Sequence, residues 1–233
     1  MDLRLTPDQT GLLTAVDGLA ARFRAKPVEF HGFALVSDEL EQQLTAAEFF
    51  DIAATPGLGP VCAALTVERL ARLPYTAEVA LSMLVRPHVL GGEWPRPFAL
   101  VENGRPGRFV LGAKTLLIAD GETLSVALAR PEAVEPIESI YAYPMAKLTA
   151  PLDAKALSAK EASDVRKWLR VALAAEASGL IQAAIDSTVE HLSVRKQFGR
   201  PLGTFQALRH RMAECAVLAG GVKWLALKAA VTA

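Results

Sequence analysis

Ser158-Ala159-Lys160-Glu161 opens a stretch in which no proline appears until Pro201. Proline stops or kinks a helix because it lacks an amide donor and clashes with the preceding turn. Ser followed three residues later by Glu is a capping box, in which two side chains satisfy free backbone amides. Trp168, Ala172, Ala175, Leu180 or Ile181, Ala184, Val189 and Leu192 trace an apolar face. The spacing predicts a helix of about 38 residues, roughly 57 Å long at 1.5 Å per residue. After the break, Thr204 reads as the N-cap of a second helix. Leu208, Met212, Cys215, Ala219, Val222, Leu225 and Ala229 form its apolar face. Two such helices cannot bury both faces in each other, so a bundle with further partners is implied. The second pattern reaches Ala233 without a C′ glycine or a closing proline. The expectation is a shortened chain, or helices supplied by another subunit.

Upstream the pattern has two other characters. Thr6-Pro7-Asp8-Gln9 is a helix start, followed by Leu12, Leu13, Val16, Leu19 and Ala20 at helical spacing. Thr45 reads as the cap of a short helix, TAAEFFDIAA. VCAALTVERLARLP and TAEVALSMLV read as two more, halted by Pro74 and Pro87. From residue 94, Gly and Pro recur every few positions, and FALVE, RFVLG, TLLIA and LSVALA read as short strands. Asn103-Gly104 and Asp120-Gly121 are hairpin-turn dipeptides. The fold expected is mainly α with a small β module. It comprises an N-terminal helical domain (1–93), a short antiparallel β domain (94–150) and an incomplete C-terminal helical bundle (151–233).

Composition narrows the function classes. The chain is 52% hydrophobic, too apolar for disorder, and a sizeable core is expected. Acids and bases balance at 25 each, so no global field selects nucleic acid or an acidic membrane. Cys62 and Cys215 match no metal or redox spacing and read as small buried hydrophobes. Met1 to Thr10 carries Asp2, Arg4 and Asp8 with no apolar run, so no signal peptide is expected. No run of about 18 uncharged apolar residues occurs, so no transmembrane helix is expected and a cytoplasmic location follows as an expectation.

Most candidate chemistry fails on spacing. Gly107 to Thr115 departs from a phosphate-binding loop because Ala113 separates Gly112 from Lys114. His31, His88, His191 and His210 show no metal-ligand spacing, and no metal is expected. No GxSxG elbow or strand-linked GxGxxG occurs. Glu161, Asp164, Glu176 and Glu190 sit at helical positions where ion pairing or solvation is the ordinary role. The joint VRKQFGRPLGTFQ, residues 194–206, differs. Arg195, Lys196, Arg200, Arg209 and Arg211 gather positive charge beside the start of a helix. Helix N-termini attract anions, Arg forks match phosphate oxygens, and Gln197 and Gln206 add amides. A diphosphate site and a solvated helical hairpin both satisfy these residues.

RKQFGRPLGTFQALRHRMAE, with GLIQAAIDSTVEHLSVRKQFG leading into it, resembles the signature of the acyl-CoA dehydrogenases, flavoproteins that oxidise acyl-CoA thioesters to enoyl-CoA. The resemblance is specific over about residues 170–220. LTPDQTGLLTAVDGLAARF, AALTVERLARLP, GRFVLGAKTLLIADGETLSVAL and PMAKL resemble the family's first helix, a Glu-containing helix, middle-domain strands and the segment after them. The resemblance implies FAD as cofactor. Arg195 would meet the FAD diphosphate of a neighbouring subunit, Gln197 and Gln206 would meet the FAD, and Phe198 would pack at it. In the family a carboxylate removes the α-proton while a hydride passes to the flavin. That Glu usually lies near the family's C-terminus, past the pattern present here. A minority of members place it ten residues before the helix glycine, which falls on Leu169, and leucine is no base. Glu176, one turn from Gly179, is at the wrong offset. No counterpart of the family's Gly-Ser-Asp stretch is found, and His191 stands where the family has tyrosine. The catalytic residue is thus unassigned. The resemblance implies a short or degenerate subunit of a heteromeric acyl-CoA dehydrogenase, acting on acyl-CoA with a base-bearing second subunit and an electron acceptor. Steroid acyl-CoA is one implied substrate class. A non-catalytic structural or regulatory subunit of such a complex is the alternative, and an ordinary full-length enzyme that continues past Ala233 is a third reading.

Overall fold

The computed structural model describes residues 4–25, 35–140 and 143–232. Asp2, His31 and Ala233 lie outside them. Helix α1 (Pro7–Arg24) starts where the sequence predicts: Thr6 accepts from the Gln9 amide at 3.2 Å and the Gln9 side chain accepts from the Thr6 amide at 3.0 Å. The second helix, α2 (Asp38–Ala46), begins earlier than expected. Ser37 caps it, Thr45 lies in its last turn, and Phe49–Asp51 forms a separate 3-10 turn. Ser37 wins because Asp38, Glu39 and Glu41 then fill the first turn, where acids favour the helix dipole. Helix α3 (Gly59–Leu70) follows, and the TAEVALSMLV pattern shrinks to the single turn α4 (Ala80–Leu84).

Helix α3 is the centre of the molecule. Cys62, Ala63, Ala64, Leu65, Thr66, Val67 and Glu68 are all buried, because α1, α4 and α5 (Ala159–Val194) surround it. The small residues on α3 let those neighbours approach closely. Gly179 shows how closely: a Cβ there would sit 2.2 Å from the Glu68 carbonyl oxygen. Helix α5 keeps its predicted capping box on Ser158 and Glu161. Its first half, Ala162 to Gly179, lies in the core, and its second half runs out along α6 (Gln206–Thr232). Both helices contain windows long and apolar enough to cross a membrane by length and composition, which the search for uncharged runs misses.

The β module holds two sheets. The first has the order β1 (Phe98–Glu102), β3 (Thr115–Asp120), β4 (Thr123–Leu128), β7 (Lys155–Ala156). The second has the order β2 (Gly107–Arg108), β6 (Met145–Leu148), β5 (Val134–Pro136). Pairing is antiparallel except for β1 with β3, which is parallel. Asp120-Gly121 does make the β3–β4 hairpin. Asn103-Gly104 instead turns the chain out of one sheet into the other, so RFVLG contributes only Arg108 to a strand. Strand alternation divides the burial. Phe98, Leu117, Leu124 and Val126 face the helices, while Ala99, Val101 and Leu116 face a smaller core with Val110 and Ala146.

Candidate functional site

Two regions combine unusual geometry with polar chemistry. The first is the joint after α5. Strands β8 (Lys196–Gln197) and β9 (Arg200–Pro201) form a minimal hairpin in which Lys196 pairs with Pro201 and Gln197 with Arg200. Phe198 and Gly199 at its tip both have positive φ, 53° and 78°, as a primed two-residue turn requires. Glycine adopts that backbone freely; phenylalanine does so at a cost. Phe198 is nevertheless 90% exposed, with its ring edge-on to Phe205 at 6.2 Å. Arg200 lies 4.2 Å over the Phe205 ring. The joint is thus a built hairpin, not an open loop.

Arg195 ends α5 and its carbonyl accepts from the Leu202 amide at 2.8 Å, which closes the base of the hairpin. Its guanidinium is exposed and has no ion-pair partner among the described residues. Gln197 and Gln206 are exposed too, with the Gln206 amide 3.5 Å from the His210 ring. The structure corrects one detail. Thr204 does not cap α6: its hydroxyl donates back to the Pro201 carbonyl at 2.7 Å, and the helix begins at Gln206 after a 3-10 turn. Arg195, Gln197, Phe198 and Gln206 are therefore all exposed around one joint, with Phe198 at the hairpin tip and Arg195 at its base. An unpaired guanidinium, two amides and an exposed ring match the phosphate, sugar and aromatic parts of a dinucleotide, so the donor set fits FAD.

The second region is the cleft where the helices meet the β module. Glu176 of α5 is buried and bidentate to Arg108 of β2, with one contact of 2.9 Å and one shorter. Burial pulls the Arg108 pKa down, but the Glu176 carboxylate outweighs it and holds the guanidinium above its ordinary range. Arg108 also lies 5.3 Å over the Tyr143 ring. Burial pushes the Tyr143 pKa up, with Glu176 adding to the effect. Nearby, buried Glu78 accepts from the amides of Leu81, Ser82 and Phe98 at 2.9, 3.3 and 3.2 Å, and from the Ser82 hydroxyl. Burial pushes its pKa up. Those donors tie the start of α4 to β1, which is a structural task.

Sequence reasoning misses Arg108, Tyr143 and Glu78. Nothing local marks Arg108 as the partner of a residue 68 positions away. Glu78 carries no motif. Leu169, the alternative base position, is a core residue at 7% exposure. His88 stacks flat on Trp168 at 4.4 Å, which is a packing role. Among the described residues, no cluster of His, Cys, Asp and Glu could hold a metal.

Comparison with known proteins bears on both regions. Residues 162–233, which contain the hairpin and both long helices, match the model of the acyl-CoA dehydrogenase C-terminal domain. Over these residues the chain is similar to the acyl-CoA dehydrogenases. The acyl-CoA dehydrogenase FadE34 of Mycobacterium tuberculosis is 35% identical over 132 residues, 53% of this chain and 18% of that protein. The acyl-CoA dehydrogenase IpdE2 of the same organism is 52% identical over 44 residues, 19% of this chain and 14% of that protein. The chain spans less than a fifth of the curated relatives it matches. The family fold extends over the whole chain. A glutaryl-coenzyme A dehydrogenase in complex with glutaryl-CoA superposes with TM-score 0.70 at 18% identity, covering 99% of this chain and 78% of that one. The ChsE4–ChsE5 complex of M. tuberculosis gives TM-score 0.72 at 17% identity, covering 99% and 79%.

Proposed function

We propose that the chain is a flavin-holding subunit for the α,β-dehydrogenation of acyl-CoA thioesters. The observation that carries this is the exposed hairpin. Phe198 is 90% exposed and Arg195 has no ion-pair partner among the described residues, so whatever they bind would rest largely on another surface. Arg195 would hold the FAD diphosphate as a charged fork, Gln197 and Gln206 would bond its oxygens, and Phe198 would cover an apolar part. FAD, when bound, would supply the hydride acceptor. The residues of this chain orient it and exclude water from it.

Neither carboxylate position weighed from the sequence supports a proton-abstracting role. Leu169 is apolar and buried, and both Glu176 oxygens are held by Arg108. On this reading a partner subunit supplies the base, and electrons pass on to a separate acceptor. Two-chain assemblies named among the fold relatives, ChsE4–ChsE5 and the Tcur3481–Tcur3483 steroid enzyme, support an unequal pair and make steroid acyl-CoA one candidate substrate.

The test is Arg195→Ala in the complex purified from its native source. Flavin absorbance per complex should fall by about tenfold or more, since a charged phosphate contact contributes roughly 1.5–3 kcal/mol. Unchanged flavin content would instead favour a subunit that serves assembly alone.

A further inference from the structure

The cleft between helices and β module is divided. One cavity of about 270 Å³ opens beside β1 and β2, lined by Glu78, Phe98, Arg105, Arg108 and Leu173. A second of about 200 Å³ opens beneath Tyr75 and Thr76, lined by Leu70, Tyr143 and Leu180. Both are walled by Val79 and Glu176. Arg108 faces the first, and the Tyr143 ring it touches faces the second. The wall between them is therefore the Arg108–Glu176 pair, backed by Val79 and Tyr143. Ligand sites usually span about 300–1,000 Å³. Each compartment alone falls short of that range, and the two joined fall within it.

A wall of this kind is firm. Bidentate guanidinium–carboxylate contacts fix both side chains in one geometry. Parting the pair leaves the buried Glu176 carboxylate without its partner, so the pair does not open readily. The second compartment is the more apolar one by its lining of Leu70, Leu73, Pro74 and Leu180, which suits an alkyl chain.

We propose that the Arg108–Glu176 pair is a partition that sets the length of acyl group this cleft accepts, admitting short acyl chains and turning long ones away. The proposal rests on the acyl-CoA reading above. A long chain would have to cross from one compartment to the other, and the ion pair occupies that path.

The experiment compares binding of butanoyl-CoA and dodecanoyl-CoA to the complex carrying the parent chain or one of three variants, by titration calorimetry. R108A/E176A removes both charges together and opens the path. R108M/E176M removes the charges but refills the space. R108S/E176S opens most of the path with two small polar side chains, which covers the case where the double alanine variant does not fold. The ratio of dodecanoyl to butanoyl affinity should rise about tenfold in R108A/E176A and several-fold in R108S/E176S, the gain that a few newly buried methylenes supply. It should stay near the original in R108M/E176M. A purely structural role would lower melting temperature in all three without moving the ratio. An unchanged ratio in the folded opened variants overturns the partition while leaving the acyl-CoA reading intact. Absence of binding of either ester to every form overturns that reading, and the partition with it.

Discussion

At the scale of single residues, burial decides chemistry more than residue type does. Arg108 and Arg195 carry the same guanidinium. The first is locked against Glu176, and the second ends a helix, exposed and with no ion-pair partner among the described residues. Only the second is free for an anion. His88 shows the same control over protonation. Burial against Trp168 holds its imidazole below the ordinary value of 6.5, with Lys167 adding to the effect and Asp164 opposing it. In the unfolded chain His88 takes a proton as pH falls through 6.5, while the folded chain resists until lower pH. Unfolding is then favoured progressively below 6.5, so this histidine contributes a loss of stability on acidification. His88→Phe keeps the ring stack and removes the titration. The difference in urea midpoint between about pH 5.5 and pH 7.5 should be smaller in the variant than in the parent.

At the scale of elements, the long helix α5 joins the two regions. Its first half fixes Glu176 in the core, and its end presents Arg195 to the outside. Gly179 makes this possible by letting α5 touch the α3 backbone. Gly179→Ala places a methyl group 2.2 Å from the Glu68 carbonyl oxygen and 2.8 Å from the Ala71 Cβ, so the helices must part. Overpacking of this kind costs about 1–3 kcal/mol, against a gain of roughly 1 kcal/mol in helix propensity. Gly18 on α1 meets nothing within 4 Å, and Gly18→Ala should stabilise by about 0.5–1 kcal/mol. Thermal unfolding should therefore show opposite shifts in melting temperature for two chemically identical changes.

At the scale of the whole molecule, the core is complete around α3 and incomplete around α6. Only Ala219, Ala226, Leu227 and Ala230 of α6 are buried. Val217, Leu218, Trp224 and Leu225 are 57–76% exposed, and they form the kind of apolar surface that covered interfaces show. The 233-residue chain alone should therefore associate. Sedimentation velocity should give a weight-average mass that rises with concentration, and V217K/L218K should lower it towards that of one chain.

Part of this was legible in the residues alone. The capping boxes at Thr6 and Ser158, the Asp120-Gly121 hairpin and the length of α5 follow from local rules: hydrogen-bond satisfaction at helix ends and periodic burial act within a few residues. The charged joint was legible for the same reason, since Arg195 to Gln206 are contiguous. Contacts between distant segments were not. The parallel β1–β3 pairing, the Asn103-Gly104 crossover and the Arg108–Glu176 wall join residues far apart in the chain. Their partners are chosen by how α5 packs across α3 and the sheet, and no local pattern encodes that choice. Sequence determined which segments are helix, strand and cationic turn. Tertiary structure decided which cation is spent on a buried carboxylate and which one stays exposed.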